Sequence, residues 1–214
     1  MTEILYSIWA GMTGASWPEQ IATVLGVAGV VLMMRQNVWT FPVGLVQVAI
    51  FGFVCFQGRL YSQVVLQGMF FVALVYGWVH WTLGRTAKNP LPVRWLGRRA
   101  RFYSIAAVVA IWGIWGAIMF RLGAALAYAD AFVFAVSVVS QWLQARKRIE
   151  NWIGWVIANT VATGVFWVKE YYWFAVLYAV FWGLAWAGFF AWRRSLTAVG
   201  PDEARLAPAR TVHG

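Results

Sequence analysis

Amide and hydroxyl side chains lie inside some of the most apolar stretches of this chain. The residues concerned are Gln47, Gln67, Ser137, Gln141 and Asn159. A polar side chain in hydrocarbon must find a hydrogen-bonding partner, so we expect these residues to point into a helix bundle. There they could bind a polar solute, or they could hold neighbouring helices together. Both roles stay open for Gln47 and Gln67, whereas contact with a solute is favoured for Gln141 and Asn159.

An aromatic row near the carboxyl-terminal end could complete such a site. Tyr178, Trp182 and Trp186 recur every four residues, which places them on one face of a helix. Their rings could stack on a planar or cationic group. The chain has 16 Trp, and most of them are expected at the membrane interface or in helix packing. We assign to that role Trp9, Trp17, Trp39, Trp81, Trp152, Trp155, Trp173 and Trp192.

The titratable residues do not form a catalytic group. The sequence has two His and one Cys, and neither His80 nor Cys55 has a metal-binding or nucleophilic partner at a suitable spacing. The acidic residues lie near the ends of the apolar stretches. Asp130 falls just inside one of them, where we expect it to find a polar partner near the membrane interface. We therefore predict no enzyme activity, no metal, no cofactor and no proton relay.

Seven apolar stretches must position these side chains. The chain is 62% hydrophobic and 11% charged, whereas soluble proteins carry about 25% charged residues. A membrane span needs roughly 20 mostly apolar residues. The sequence therefore predicts an all-α integral membrane protein with seven transmembrane helices at 19–35, 40–57, 61–82, 102–120, 124–145, 152–169 and 172–193.

The connections between these spans alternate in charge, which predicts how the chain sits in a membrane. The basic residues on one set of connections are Arg35, Arg85, Lys88, Arg94, Arg98, Arg99, Arg101, Arg146, Lys147, Arg148, Arg193, Arg194, Arg205 and Arg210, against Arg59, Arg121 and Lys169 on the other. Basic loops stay in the cytoplasm. We expect the N-terminus in the periplasm and the C-terminus in the cytoplasm. The net charge of +10 then marks a membrane face, and nucleic acid is not an expected partner.

The third and seventh spans resemble each other when residues 60–81 are laid on 171–192. Further upstream, with one-residue gaps, Trp39 falls near Trp152 and Gln47 near Asn159. Internal repeats are usual in transporters, and the loop charges make the two triplets run in the same direction. The predicted units are an N-terminal lead-in segment (1–18), a first triple-helix repeat (19–82), a cytoplasmic loop with a linker helix (83–123), a second repeat (124–193) and a disordered cytoplasmic tail (194–214).

Two polar turns at the basic side of the repeats are candidate capping or gating positions. They contain Asn37 and Trp39 in the first repeat and Glu150, Asn151 and Trp152 in the second. We expect Glu150 and Asn151 to cap the helix that follows and to pair with Arg146 or Arg148. A part in gating the cytoplasmic end of the pathway remains open.

The order of these motifs resembles the PnuC family of nicotinamide riboside transporters. In the second half, SQWLQARKRIENW (140–152) precedes the span with Asn159, and KEYYWFAVLYAVFW (169–182) follows it. In the first half the shared features are the turn 36–39, Pro42 with Gly44, and RLYSQVVLQ (59–67). The resemblance covers about residues 20–193.

The resemblance implies a SWEET-like fold of 3+1+3 parallel triple-helix repeats. It also implies facilitated diffusion of nicotinamide riboside, a precursor of NAD, across the bacterial inner membrane, followed by phosphorylation in the cytoplasm. A carrier of the same fold for thiamine, a deoxynucleoside or a sugar is the alternative. The expected partners are the small-molecule substrate, the lipid bilayer and further copies of the chain in a homo-oligomer.

Overall fold

The computed structural model describes residues 2–84 and 91–198, and this part of the chain is helical almost throughout. Its helices are α1 Thr2–Gly14, α2 Trp17–Met34, α3 Thr40–Gln57, α4 Tyr61–Leu83, α5 Arg98–Arg121, α6 Ala127–Ala145, α7 Glu150–Val168 and α8 Tyr172–Ala198. Short turns join most of them, and a longer segment connects α4 to α5.

The helix order follows the predicted spans, with differences at their ends. α1 lies within the predicted lead-in segment. α5 begins at Arg98, inside the segment expected to be a loop. α8 runs to Ala198, so residues 194–198 extend a helix instead of beginning a disordered tail. The remainder of that tail, 199–214, lies outside the described residues.

Helices α2, α3, α4, α5 and α8 are each long and apolar enough to cross a membrane. α6 and α7 have 19 residues each but are more polar, since α6 carries Asp130 and Gln141 and α7 begins with Glu150 and Asn151. Polar groups are tolerated at membrane depth where protein surrounds them. α6 meets this condition because buried residues occur on nearly all of its sides.

Six helices form a closed ring. In the described residues α2 packs against α3, α3 against α4, α4 against α6, α6 against α7, α7 against α8, and α8 against α2. α5 lies outside the ring against α6, and α1 lies outside it against α8. Side chains on helices that are not neighbours can therefore meet only in the interior of the ring.

The turns of the two halves match each other in backbone geometry. Gln36, Arg59, Lys147 and Glu170 all have positive φ, of 55°, 55°, 56° and 62°. Lys147 follows Gln36 by 111 positions (147 − 36), and Glu170 follows Arg59 by the same distance (170 − 59). We call this spacing the internal register. The residue with positive φ turns the chain at the end of each helix. The backbone amides of this residue and the next one can then donate to the last carbonyls of that helix.

The internal register agrees with the predicted alignment of 60–81 on 171–192 and corrects the gapped alignment upstream. Without gaps, Phe41 corresponds to Trp152 and Val48 to Asn159. The expected matches of Trp39 with Trp152 and of Gln47 with Asn159 are therefore wrong by one or two positions. A gap is not needed because the turns after α2 and α6 have the same hydrogen bonds.

Four aromatic rings fill the ring interior at the end that carries Arg35 and Arg146, here called the basic end; the end with Arg59 and Glu170 is the far end. Trp81 of α4 meets Trp192 of α8 with 6.0 Å between ring centroids. Phe41 packs edge-on against Trp81 at 5.1 Å, and Trp152 packs edge-on against Trp192 at 5.5 Å. We call this group the aromatic quartet. All four rings are buried.

Trp81 and Trp192, which match in the internal register, each donate a hydrogen bond from the indole group, to acceptors that differ by one position in that register. Trp81 Nε1 donates to the Ala145 carbonyl at the end of α6, and Trp192 Nε1 donates to the Met33 carbonyl near the end of α2; both distances are 3.0 Å. Buried indole groups need such partners. These two hydrogen bonds connect the aromatic quartet to the last turn of α6 and to the last turn of α2.

Candidate substrate pathway inside the helix ring

The interior continues from the aromatic quartet toward the far end through a second aromatic contact. Phe70 of α4 meets Trp155 of α7 edge-on, with 5.9 Å between ring centroids. α4 and α7 are not neighbours in the ring, so this contact lies in the interior. Trp155 Nε1 also donates to Gln144 Oε1 of α6 at 2.7 Å, which fixes the indole in place.

Asn159 lies one helical turn beyond Trp155 on the same face of α7. Its side chain is 5% exposed, yet among the described residues its amide has no hydrogen-bond partner. Thr163, the next residue on that face, instead donates to the backbone carbonyl of Asn159. Asn159 is therefore a buried amide without a described partner, one helical turn from the Trp155–Phe70 contact.

α6 and α4 contribute similar groups. Ser137 and Gln141 are four residues apart on α6 and both are buried, and in the described part of the chain neither side chain is hydrogen-bonded. Gln67 of α4 is buried beside Gly52 of α3, and its Oε1 atom has no partner among these residues. The unmade hydrogen bond of the fully buried Gln67 Oε1 atom costs about 1–3 kcal/mol. A bound solute that donated to this oxygen would remove that cost.

The predicted aromatic row separates into two environments. Tyr178 stacks on Phe166 of α7 with 5.1 Å between centroids and contacts Phe181. Trp182 and Trp186 are 43% and 37% exposed. These two rings contact each other edge-on, and Trp186 packs on further rings at the basic end of α8. The structure brings Tyr178, but not the two tryptophans, against α7.

Gln47 belongs to a contact between α2, α3 and α8. The position that a Cβ atom would take at Gly26 lies 3.9 Å from Gln47 and 3.7 Å from the Phe181 ring. Glycine therefore allows α2 to approach both side chains. Gln47 is half-buried and is the one predicted amide on the α2–α3 side of the interior.

The internal register shows that the two sides of the interior differ in chemistry. The unpaired polar groups lie on α4, α6 and α7, which are consecutive in the ring; we call this side the polar wall. The corresponding positions on α8, α2 and α3 form the apolar wall. Register partners are Gln67 with Tyr178, Ser137 with Gly26, Gln141 with Val30, and Asn159 with Val48.

An ion pair joins α6 and α7 at the far end. Lys169 Nζ lies 2.8 Å from Asp130 Oδ2 and also donates to Oδ1. The two side chains are 28% and 40% exposed. The expected polar partner of Asp130 is thus Lys169, and this acid is already neutralised by a neighbouring cation.

The polar turn before α7 is arranged differently from the prediction. Glu150 pairs with Arg101 at 3.2 Å and accepts the Leu96 amide, so its expected pairing with Arg146 or Arg148 is wrong. The N-cap position is Ile149. Asn151 Nδ2 donates to the Arg148 carbonyl.

Arg148 in the same turn is partly desolvated. Burial is the main cause that lowers the pKa of its guanidinium group, and the nearby positive charge of Arg94 lowers it further.

The corresponding turn of the first half is simpler. Asn37 Oδ1 accepts the backbone amide of Trp39 at 3.0 Å, which closes a local turn. The Trp39 side chain is 66% exposed and suits an interfacial position. Trp152, by contrast, is buried in the aromatic quartet.

Sequence reasoning missed two interior residues, Phe70 and Trp155. Phe and Trp are frequent in this chain, with 15 and 16 copies, so neither residue stands out from the packing residues. The sequence did contain one signal for Trp155. It precedes Asn159 by one helical turn, so the two residues share a face of α7.

Comparison with known proteins gives the family. Residues 16–194 match the family model described as "Nicotinamide mononucleotide transporter". The chain belongs to this family. The predicted resemblance is confirmed, and the match includes α2 to α7 completely and most of α8.

Two curated relatives carry different solutes. The chain is 28% identical over 215 residues to the nicotinamide riboside transporter PnuC of Escherichia coli, covering 88% of this chain and 90% of that protein. It is 26% identical over 182 residues to the riboflavin/roseoflavin transporter RibM of Streptomyces davaonensis, covering 82% and 84%.

A solved structure has the same fold. The crystal structure of the vitamin B3 transporter PnuC superposes with a TM-score of 0.71 over 92% of this chain and 91% of that one, at 21% sequence identity. The all-helical membrane fold is therefore shared over nearly the whole chain.

Proposed function

We propose that this chain carries nicotinamide riboside across the bacterial inner membrane by facilitated diffusion. The observation that carries the proposal is the polar wall, whose buried amide and hydroxyl side chains make no hydrogen bond among the described residues. They lie on consecutive helices of a ring whose interior contains aromatic side chains. Membership of a transporter family and the name of the Escherichia coli relative support the same conclusion.

The chemistry of nicotinamide riboside suits the two walls. The molecule has a cationic pyridinium ring with a carboxamide, joined to a ribose with three hydroxyl groups. Asn159, Gln141, Gln67 and Ser137 supply hydrogen bonds for the hydroxyls and the carboxamide. Tyr178 and its aromatic neighbours offer ring faces to the cation. Gln47 extends the site on the apolar wall, while Trp182 and Trp186 have a place in it only if α8 rotates during transport.

The interior favours a riboside over a mononucleotide. A phosphate group needs cationic partners or clustered backbone amides. Among the described residues, the side chains on both walls are uncharged, and the charged pair Asp130–Lys169 at the far end is neutral as a unit. A phosphate at mid-depth would be desolvated without compensation.

A second candidate substrate is riboflavin, because of the Streptomyces davaonensis relative. Riboflavin also joins a planar nitrogen heterocycle to a chain of hydroxyl groups, so it makes similar demands on the two walls. Its ring system is larger and uncharged. The cation-binding ring faces therefore favour nicotinamide riboside.

We further propose the membrane arrangement. The lead-in helix α1 precedes seven spanning helices, in which α2–α4 and α6–α8 form two parallel repeats with α5 as the linker, as in SWEET-like carriers. The internal register supports this plan. The basic end is cytoplasmic by the charge rule, so α2 starts at the periplasm, and the two repeats rock against each other to alternate access.

Uptake into proteoliposomes tests the proposal. In proteoliposomes held at zero membrane potential, we expect saturable uptake of labelled nicotinamide riboside that stops when inside and outside concentrations are equal. Removing a proton or sodium gradient, still at zero potential, should not change this uptake. Unlabelled nicotinamide riboside should compete strongly, and nicotinamide mononucleotide and glucose should not. Uptake of riboflavin or thiamine with no uptake of nicotinamide riboside would reassign the substrate. Accumulation above the outside concentration would contradict facilitated diffusion.

A further inference from the structure

The ring has two seams at which α2–α4 meet α6–α8. One lies between α4 and α6, and the other lies between α8 and α2. The internal register maps each seam onto the other, so their contacts can be compared position by position. Movement of the two helix sets against each other must change at least one of these seams.

At the basic end, stacked side chains connect the α4–α6 seam. Tyr76 of α4 stacks on Trp142 of α6 with 4.8 Å between centroids. His80 lies against the same tyrosine at 5.6 Å. The Arg146 guanidinium lies 4.8 Å from the Trp142 ring centroid. These contacts form a continuous stack across the seam, in addition to the hydrogen bond from Trp81 to Ala145.

Lys147 reinforces the same seam from the turn after α6. Its side chain is buried, with 2% exposure. Its ammonium group lies 4.4 Å from the centroid of the Trp81 ring and donates to the Leu91 carbonyl. The residue therefore links α4, α6 and the segment that follows α4.

Residues 91–97, here called the strap, tie this segment to the α6–α7 turn. The Arg94 amide donates to the Lys147 carbonyl, and the Ile149 amide donates to the Arg94 carbonyl, both at 3.2 Å. The Leu96 amide donates to Glu150. At the far end, Trp115 Nε1 of α5 donates to Ser62 Oγ of α4 at 3.1 Å. Strap and α5 together connect α4 to the second helix set at both ends.

The α2–α8 seam has fewer connections. It keeps the hydrogen bond from Trp192 to Met33, and Gln36 Nε2 donates to Ser195 Oγ at 3.0 Å. Val31 and Ala187 occupy the positions of Trp142 and Tyr76 in the internal register. In the part of the chain that the structure describes, no stacked ring pair crosses this seam.

We infer that the α4–α6 seam is a hinge and that the ring opens at the basic end by separation of α2 from α8. This inference rests on the proposed transport function. Separation breaks the bonds Trp192–Met33 and Gln36–Ser195 and parts Trp81 from Trp192. Each half of the aromatic quartet keeps its own pair, because Phe41 and Trp81 lie on one helix set and Trp152 and Trp192 on the other. The solute then leaves between α2 and α8.

Reversible crosslinks at register-matched positions test the hinge. In a Cys55→Ala chain, one variant carries Val31→Cys with Ala187→Cys, and the other carries Tyr76→Cys with Trp142→Cys. Both are treated with the same short bifunctional thiol reagent, and nicotinamide riboside uptake into proteoliposomes is compared with that of the same variant after reduction.

We expect the Val31–Ala187 crosslink to lower uptake at least about tenfold, with recovery on reduction, because gating is blocked. The Tyr76–Trp142 crosslink should leave uptake within about twofold of the reduced variant. Block by the Tyr76–Trp142 crosslink, or undiminished uptake with the Val31–Ala187 crosslink, would overturn the hinge. Absence of uptake by the uncrosslinked Cys55→Ala chain would count against the proposed function instead.

Hydrogen exchange of the unmodified protein tests the hinge without any solute. Amides that open locally exchange faster. In lipid nanodiscs, the last turn of α2 (31–34) should exchange about tenfold faster than the register-matched last turn of α6 (142–145). Equal rates, or faster exchange in α6, would overturn the inference even if transport is confirmed.

Discussion

At the scale of single residues, the buried polar groups of this chain fall into two classes. Ser140, which is buried, and Thr163, which is half-buried, donate to backbone carbonyls of their own helices and need no further partner. Asn159, Gln141 and Gln67 are also buried but have side-chain groups unpaired within the described chain. A fully buried oxygen without a partner, such as Gln67 Oε1, would be costly for a protein that never binds a solute. This difference separates solute contact from helix packing and gives the first two predictions.

Replacing Asn159 by Ala should weaken nicotinamide riboside binding and leave thermal stability unchanged. Loss of one hydrogen bond costs about 1 kcal/mol, which corresponds to a Kd increase of roughly fivefold to tenfold. Calorimetry and a thermal unfolding assay measure the two quantities. Thr160→Ala, at the exposed neighbouring position, is the matched control. A variant that unfolds earlier but binds normally would show that Asn159 holds helices together.

Replacing Gln67 by Leu should slow uptake without a loss of stability. The substitution removes a buried oxygen that has no described partner, so the folded state is expected to gain up to about 1 kcal/mol while the solute loses a hydrogen bond. Thermal unfolding and initial uptake rates test this. Met69→Leu, on the exposed side of α4, provides the control. Normal uptake by the Gln67 variant would remove this residue from the polar wall.

The burial of several candidate-site residues was predictable from sequence because a polar residue in an apolar stretch is conspicuous. Gln67, Ser137, Gln141 and Asn159 all proved to be buried. The sequence could not predict that Tyr178 and the two tryptophans Trp182 and Trp186 have different surroundings. Residues four apart share a face in any helix, and the neighbouring helices decide what each part of that face contacts. The pairing of Glu150 with Arg101 depends on a contact between residues far apart in sequence.

At the scale of helices, apolar length predicted where most elements begin and end. α6 and α7 were found because their polar residues are spaced within otherwise apolar stretches. The left-handed turn residues could not be predicted, because Gln, Arg, Lys and Glu are not residues that favour positive φ. The strap was also not predictable, since its hydrogen bonds use backbone groups that carry no sequence signal.

Installing the missing stack at the α2–α8 seam should slow transport. Val31→Trp combined with Ala187→Tyr copies Trp142 and Tyr76 in the internal register. A stacked aromatic pair contributes about 0.5–1.5 kcal/mol, so the closed form should be favoured and uptake should fall roughly threefold to tenfold. Initial uptake rates and thermal unfolding of the double variant are the measurements.

The single variants Val31→Trp and Ala187→Tyr are the controls for this change. Each adds bulk without completing the pair, so the decrease should be greater than the product of the two single effects. An uptake rate equal to that product would show that the two rings do not meet across the seam.

At the scale of the whole molecule, most charged side chains and the neutral hydrogen-bonding side chains of the polar wall lie in different places. Most of the basic residues gather at one end of the ring, and the described groups of the polar wall are neutral. The uncoupled mechanism proposed here follows from this separation, because ion coupling usually requires an ionisable group inside the membrane and Asp130 is paired with Lys169.

Reporter fusions test the orientation. A green fluorescent protein fused after the C-terminus should fluoresce, and alkaline phosphatase fused there should be inactive, because the basic end is expected to face the cytoplasm. Fusion of the same reporters after α3, at Arg59, should give the opposite pattern. The proposed topology fails if the C-terminal phosphatase is active.

The internal register has a consequence for biosynthesis. α2–α4 and α6–α8 each contain their own matched turns, and each set meets the other through side chains at the two seams. A gene interrupted between α4 and α5 would therefore encode two fragments that can insert separately. Complementary surfaces should let them reassemble in the bilayer, although the strap would then start from a free chain end.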